Sequence, residues 1–228
     1  MSLPGRTLRL AHRGDARAAP ENTLAAVRAA LAAPACDGLE LDLRSSADGV
    51  AVLGHDATLA RVFGCPVRVA ELTVAELGAI GVPTFAAVLE AVPATAFLDV
   101  ELKENLGEAA VGPLRAARGT ADGGLAGAVV SSFDPAALAT VRALVPAWPT
   151  WLNVVSLATE VLDVARRLGC DGVSAAAAAI DADAAARVRA AGLRLAAWTV
   201  RDPAELDRLA GLGIVAVCLE GEALEGRT

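Results

Sequence analysis

Residues 39–56 read "LELDLRSSADGVAVLGHD". Leu39, Glu40, Leu41, Asp42 and Leu43 alternate with period two, so a β-strand here points three leucines one way and both carboxylates the other. A strand of that kind fits a half-exposed antiparallel sheet with a wet acidic face. It fits equally a strand with apolar packing behind it and chemistry in front. The rest of the chain separates the two.

Working outward, short runs rich in Leu, Val and Ala recur roughly every 20 to 30 residues, each followed by an Ala/Leu/Arg stretch with helical spacing. Candidate strands are Leu8–Ala11, Gly38–Leu43, Phe97–Glu101, Ala128–Ser131, Thr150–Val154, Gly172–Ser174, Leu193–Trp198 and Val215–Cys218. Helical segments fall near Glu21–Ala32, Thr84–Ala91, Gly107–Ala117, Pro135–Leu144, Leu157–Leu168, Ala182–Ala191 and Pro203–Leu212, several opened by a first-turn Pro or an Asp cap. Eight strands alternating with helices predict an α/β fold of the (β/α)8 TIM-barrel type. A doubly wound open sheet is the alternative, weakened because no Gly-rich phosphate-binding turn follows the first strand.

One connection is long. Residues 45–82 hold a hairpin arm, "GVAVLGHD", and the turn-rich "RVFGCPVRVAELTVAELGAIG", too apolar for a disordered loop. They are expected to form a short insertion after the second strand, over the barrel mouth, within a single domain covering 1–228.

Composition narrows the partners. With 27 acidic against 20 basic residues the formal charge is −7, and no basic patch with interleaved aromatics occurs, so nucleic acid is excluded as an expected partner. The start "MSLPGRTLRLAHRG" lacks the apolar core of a leader peptide, and no apolar run is long enough to span a bilayer. The expectation is a soluble, cytoplasmic protein without a stable membrane anchor; its oligomeric state is left open. Cys36, Cys65, Cys170 and Cys218 form no CxxC pair and read as small hydrophobes.

In a barrel the catalytic groups come from the C-terminal ends of strands. The first strand runs into "AHRGDARAAPENT", the second is "LELDL", and the third, "FLDVELKEN", puts Asp99, Glu101 and Lys103 on one face. Glu40, Asp42 and Glu101 would then converge on one mouth, where unpaired like charges are costly. A divalent cation resolves that, and an all-oxygen donor set favours Mg2+, Ca2+ or Mn2+ over zinc. A salt-bridged barrel floor, with Arg13 and Lys103 as counter-charges, is the structural alternative. Lys103 is the chain's only lysine, which suggests either a phosphate partner or a Schiff-base nucleophile. His12 and His55 are its only histidines, and both stand beside the strand ends that supply the acids, an acid–base arrangement.

The segments "AHRGDARAAPENT", "DGLELDLRSSADGVAVLGHDATLAR", "VPTFAAVLEAV", "LDVELK", "VVSSFDPAAL" and "AAWTV", in this order, resemble the glycerophosphodiester phosphodiesterase family. The resemblance implies a TIM barrel that hydrolyses a small-molecule glycerophosphodiester to an alcohol and glycerol 3-phosphate with a divalent metal, commonly Ca2+ or Mg2+. It implies Glu40, Asp42 and Glu101 as metal ligands, His12 as base and His55 as acid, Arg13 and Lys103 on the phosphate, and Trp198 along the substrate groove. Glu21 and Asn22 match the motif and read as supports of those residues or as helix caps. The match thins toward the end of the chain. Arg201 stands where Asn is frequent, "GIVAVCLE" replaces a "GVDGIITD"-like strand, and Glu220 takes the place of its final Asp. These departures bear on substrate preference. The short insertion suits water-soluble diesters; hydrolysis of lysophospholipids, a Schiff-base aldolase and a non-catalytic phosphate-binding barrel are the alternatives.

Overall fold

The computed structural model describes residues 5–225. The beginning of the chain, read above for a leader, thus lies partly outside the described residues, as do the last three residues of the proposed domain.

Eight parallel strands close into a barrel: β1 (Leu8–His12), β2 (Gly38–Ser45), β4 (Phe97–Leu102), β5 (Ala128–Ser132), β6 (Thr150–Val154), β7 (Gly172–Ala176), β8 (Arg194–Val200) and β9 (Ala216–Leu219). β1 pairs with both β2 and β9, which completes the circle. A ninth strand, β3 (Ala51–Leu53), pairs antiparallel with β2 as the hairpin arm. The helices are α1 (Leu24–Ala32), α2 (Ala60–Phe63), α3 (Val74–Ile80), α4 (Phe85–Ala91), α5 (Glu108–Arg118), α6 (Pro135–Leu144), α7 (Thr159–Arg167), α8 (Ala182–Ala190) and α9 (Pro203–Gly211). This is the (β/α)8 TIM barrel expected from the alternation, and the open-sheet alternative is excluded by closure.

β2 also settles the question its sequence raised. Leu39, Leu41 and Leu43 pack outward against Val27 and Phe85 in the layer between barrel and helices, while Glu40 and Asp42 are themselves 3% and 0% exposed. The acidic face is therefore not wet; it lines the inside of the barrel. The N-terminal half of that interior is plugged by Leu8, Leu10, Phe97, Val129, Trp151, Ala196 and Ala216. Two positions along the same strands come His12, Asp99, Ser131, Asn153 and Cys218, so period two carries each strand from apolar plug to polar mouth. Gly38 permits close pairing at the start of β2, because a Cβ there would meet the Phe97 carbonyl oxygen at 2.0 Å.

Two details differ from the sequence expectation. α1 begins at Leu24 instead of Glu21, because Thr23 is the cap, its side chain accepting from the Ala26 N–H. The insertion contains two helices that its turn-rich composition concealed. One of them, α3, carries a legible signal in the capping box formed by Thr73 and Glu76. Val52, Leu59, Val69, Leu77 and Val82 give the insertion an apolar cluster of its own.

Candidate active site

At the C-terminal end of the barrel a cavity of about 370 Å³ is lined by His12, Arg13, Glu40, His55, Asp99, Glu101, Lys103, Trp198 and Glu220, among others. The sequence-predicted residues thus meet in one place, with Asp42 buried beneath them.

The acids come from adjacent strands in register: Glu40 opposite Asp99, and Asp42 opposite Glu101. Oxygens of Glu40, Asp42 and Glu101 lie within 4.8 Å of one another, all three residues being buried. Their surroundings differ sharply. Asp42 forms ion pairs with Arg13 Nε (2.9 Å) and Lys103 Nζ (2.9 Å) and accepts from Asn22 Nδ2 (2.9 Å). Burial pushes its pKa up, but Lys103 and Arg13 outweigh burial and hold it below the usual carboxylate range. Glu40 has neither advantage. Both its oxygens are buried without a hydrogen-bond partner, and His12 Nε2 stands 3.7 Å from Oε2, too long for a hydrogen bond. Burial, and then the charges of Asp42 and Glu101, raise its pKa well above the ordinary value. Asp99, bonded to Ser131 Oγ at 2.6 Å, is pushed by burial up to about 7.

An orphaned carboxylate with two further carboxylates beside it is the donor set of a hard divalent cation, so these residues fit one. Lys103 Nζ pairs with Glu101 as well as Asp42. Burial alone would lower its pKa, but the two carboxylates raise it, which makes it an ammonium and disfavours the Schiff-base alternative.

Each histidine rests on a carboxylate. His55 Nδ1 is 2.7 Å from Asp56 Oδ1, and Asp56 Oδ2 accepts from Arg61 Nε at 2.6 Å. Burial lowers the His55 pKa, opposed by Asp42 and Asp56. His12 Nδ1 hydrogen-bonds Glu220, whose other oxygen is paired with Arg201 Nη2 at 2.6 Å. Sequence reasoning placed Arg201 and Glu220 outside the catalytic motifs; the structure puts Glu220 against His12. Asp56 and Arg61 stood within the quoted "HDATLAR" without a role. Of the two motif residues read as supports or caps, Glu21 accepts from Arg13 Nη1 at 3.0 Å and Asn22 braces Asp42; neither caps a helix. Arg13 and Asn22 both have left-handed backbones, φ 61° and 57°, a strain that clusters at functional sites. Gly14, at φ 83°, could carry no side chain, since a Cβ would sit 2.6 Å from the Ala26 carbonyl carbon.

Trp198 lies on the cavity wall, its Nε1 donating to the Ser174 carbonyl at 3.0 Å. Phe133 packs edge-on against it, with ring centroids 5.5 Å apart.

The model of the glycerophosphoryl diester phosphodiesterase family matches residues 12–220. The chain belongs to this family. Among solved structures, that of an Oleispira antarctica phosphodiesterase in complex with the product sn-glycerol-3-phosphate superposes with a TM-score of 0.82 at 26% identity, covering 94% of this chain and 93% of that one. A Silicibacter pomeroyi structure at 23% identity, TM-score 0.82, covering 95% and 90%, shares the fold. Glycerophosphodiester phosphodiesterase 1 of Bos taurus is 50% identical over 64 residues, 28% of this chain and 19% of that protein. The Caldanaerobacter subterraneus phosphodiesterase is 42% identical over 72 residues, 32% and 29% of the two chains. Each of these matches therefore spans less than a third of the curated relative. Among the described residues, no helix of this family member is long and apolar enough to cross a membrane.

Proposed function

We propose that the chain hydrolyses glycerophosphodiesters to an alcohol and glycerol 3-phosphate, with a divalent cation held by Glu40, Asp42 and Glu101 and with His12 and His55 as the acid–base pair. The observation that carries this reading is the unpartnered, buried Glu40 carboxylate, set with two more acids at the cavity that both of the chain's histidines line. The Oleispira antarctica relative, described with glycerol 3-phosphate as its product, supports the substrate class.

A bound Mg2+, Ca2+ or Mn2+ supplies Lewis-acid stabilisation of charge on the phosphoryl oxygens. The chain's own residues do the rest. Arg13 and Lys103 present fixed positive charge to the phosphate, where attack adds negative charge to the equatorial oxygens. His12 takes at Nε2 the proton of the attacking group, either water or the substrate's own glycerol hydroxyl, and His55 delivers a proton to the departing alkoxide; in the second case water then opens the cyclic phosphate. Trp198 and Phe133 flank the alcohol. The domain is read as one unit over 1–228, the insertion contributing His55 and Asp56 to one wall of the mouth.

One observation favours a second substrate, lysophospholipids: Phe133 is 45% exposed and extends the apolar wall outward from Trp198. The test is release of product from glycerophosphocholine, glycerophosphoethanolamine and a lysophospholipid by chelated and metal-restored protein. Turnover that is lost on chelation and regained with Mg2+, Ca2+ or Mn2+ supports the reading. Full turnover by demonstrably metal-free protein removes the cation, and ligand binding without product release removes hydrolysis.

A further inference from the structure

We propose that Glu220 is the positioning residue of His12, fixing the ring and its tautomer through Nδ1, and that Arg201 locks Glu220 in that task. The assignment rests on His12 acting as the base in the hydrolytic reading above.

The pair is built by the barrel's register. His12 ends β1, and Glu220 follows β9, the neighbouring strand, whose Leu219 is paired with Ala11. The Glu220 N–H donates to the Val200 carbonyl at 2.9 Å, which brings the residue after β8, Arg201, alongside. One carboxylate oxygen of Glu220 then meets His12 Nδ1 and the other meets Arg201 Nη2 at 2.6 Å. Two oxygens on two separate partners orient the carboxylate.

That orientation has a chemical consequence. A carboxylate can only accept, so neutral His12 carries its proton on Nδ1 and keeps a lone pair on Nε2. Nε2 makes no hydrogen bond to Glu40 at 3.7 Å and faces the cavity, where the attacking hydroxyl must be met. The His12 hydrogen bond, with help from Arg201, also holds the Glu220 carboxyl down to about 2, which keeps it an acceptor at neutral pH. Arg201 itself is 69% exposed at its side chain, and an exposed pair of this kind adds little stability. Its effect is on geometry. The design repeats on the other histidine, where Asp56 faces His55 Nδ1 and Arg61 holds the second oxygen. At both histidines the carboxylate comes from outside the acid cluster, which frees the cluster for a cation.

The test uses the chain's economy in histidine. With two imidazoles in the whole protein, ¹⁵N spectra of histidine-labelled enzyme resolve both, and His12→Gln assigns them. Above the titration range, wild-type His12 is expected as the Nδ1–H tautomer. Glu220→Gln, isosteric but able to donate as well as accept, is expected to mix the tautomers. It should lower kcat by about 10²-fold, the low end of a general base's contribution, with KM changed by less than about threefold. Glu220→Asp should restore the tautomer and most of kcat. Arg201→Gln should keep the tautomer while broadening the ring signal and lowering kcat by a factor of a few. An Nε2–H tautomer in the wild type overturns the proposal, as does Glu220→Gln with unchanged spectrum and kcat. If wild-type enzyme releases no glycerol 3-phosphate from any diester, the hydrolytic reading fails on its own, and the spectra still decide what Glu220 does to His12.

Discussion

Arg61, on the short helix α2 of the insertion, donates to both carboxylate oxygens of Glu21, at 2.8 and 2.7 Å. The same guanidinium holds Asp56, and Glu21 in turn holds Arg13, which is paired with Asp42. One half-exposed arginine therefore links the insertion to the floor of the site through an unbroken run of charges.

The first prediction follows from that run. Arg61→Gln releases Glu21 and Asp56 together, loosening Arg13 and His55 without touching the substrate. Loss of such supporting contacts typically costs about 10–100-fold in activity or metal affinity, while exposed ion pairs contribute only about 0–1 kcal/mol each to stability. A fall in kcat with a small change in melting temperature is expected. A large loss of stability with unchanged kcat would assign Arg61 to folding alone.

Lys103 faces both Asp42 and Glu101, and its ammonium is the one lysine charge in the chain. If it contacts the phosphate, Lys103→Met should lower kcat/KM by the equivalent of about 3–4 kcal/mol, as for other lost electrostatic donors. Steady-state kinetics at saturating cation measures this. A loss below tenfold would mean that the lysine only balances the carboxylates.

His55 is assigned to the departing oxygen, and leaving-group chemistry tests the assignment. A choline or ethanolamine alkoxide needs a proton as the P–O bond breaks, worth about 10²–10⁴-fold, whereas a nitrophenolate needs none. His55→Ala should be crippled on glycerophosphocholine and far less affected on a nitrophenyl diester; His12→Ala should suffer on both. Equal losses on the two substrates in His55→Ala would exclude it as the acid, and the selective loss appearing in His12→Ala would exchange the two roles.

Asp99 predicts a pH dependence of stability. Burial raises it to about 7 in the folded chain, against roughly 3.9 for an unfolded aspartate. Between those values the folded state keeps a proton that the unfolded state has released, so this group's contribution to stability falls as pH rises through the window and levels off above it. Asp99→Asn removes the titration yet can still accept from Ser131 Oγ. Urea unfolding of chelated protein should therefore show the variant gaining on the wild type from pH 4 to pH 8, by on the order of a few kcal/mol. Parallel pH profiles would show that Asp99 is not the group responsible.

Much of this was legible in the residues. The alternation in "LELDLRSS" and "FLDVELKEN" located two strands and their inward acids, while the register that pairs Glu40 with Asp99 came from the barrel itself. The β-then-α rhythm predicted all eight barrel strands to within a few residues. Period two and helical spacing are local properties, set by backbone geometry over a handful of residues, so a sequence displays them directly. The helices of the insertion were hidden because they are short and lie among Gly, Pro and Val, leaving the Thr73–Glu76 capping box as the one clear signal.

The partners of the charged residues were not legible. His12 finds Glu220 at a separation of 208 residues and Arg61 finds Glu21 at 40, and nothing in the spacing of either pair announces it. Such contacts exist only once the barrel closes and brings β9 beside β1, because a carboxylate's neighbours depend on which strand ends share a rim. Burial is decided there too: Asp42, Glu40 and Asp99 are the same chemical group on two neighbouring strands, yet closure holds one below its ordinary pKa and raises the others, according to which cations and hydroxyls reach them. The sequence by itself determined the fold and which motif residues face the mouth; the tertiary structure alone decided that Glu220 and Arg201 join them and how all are paired and charged, since electrostatics acts through space and the solvent that screens it is removed only by packing.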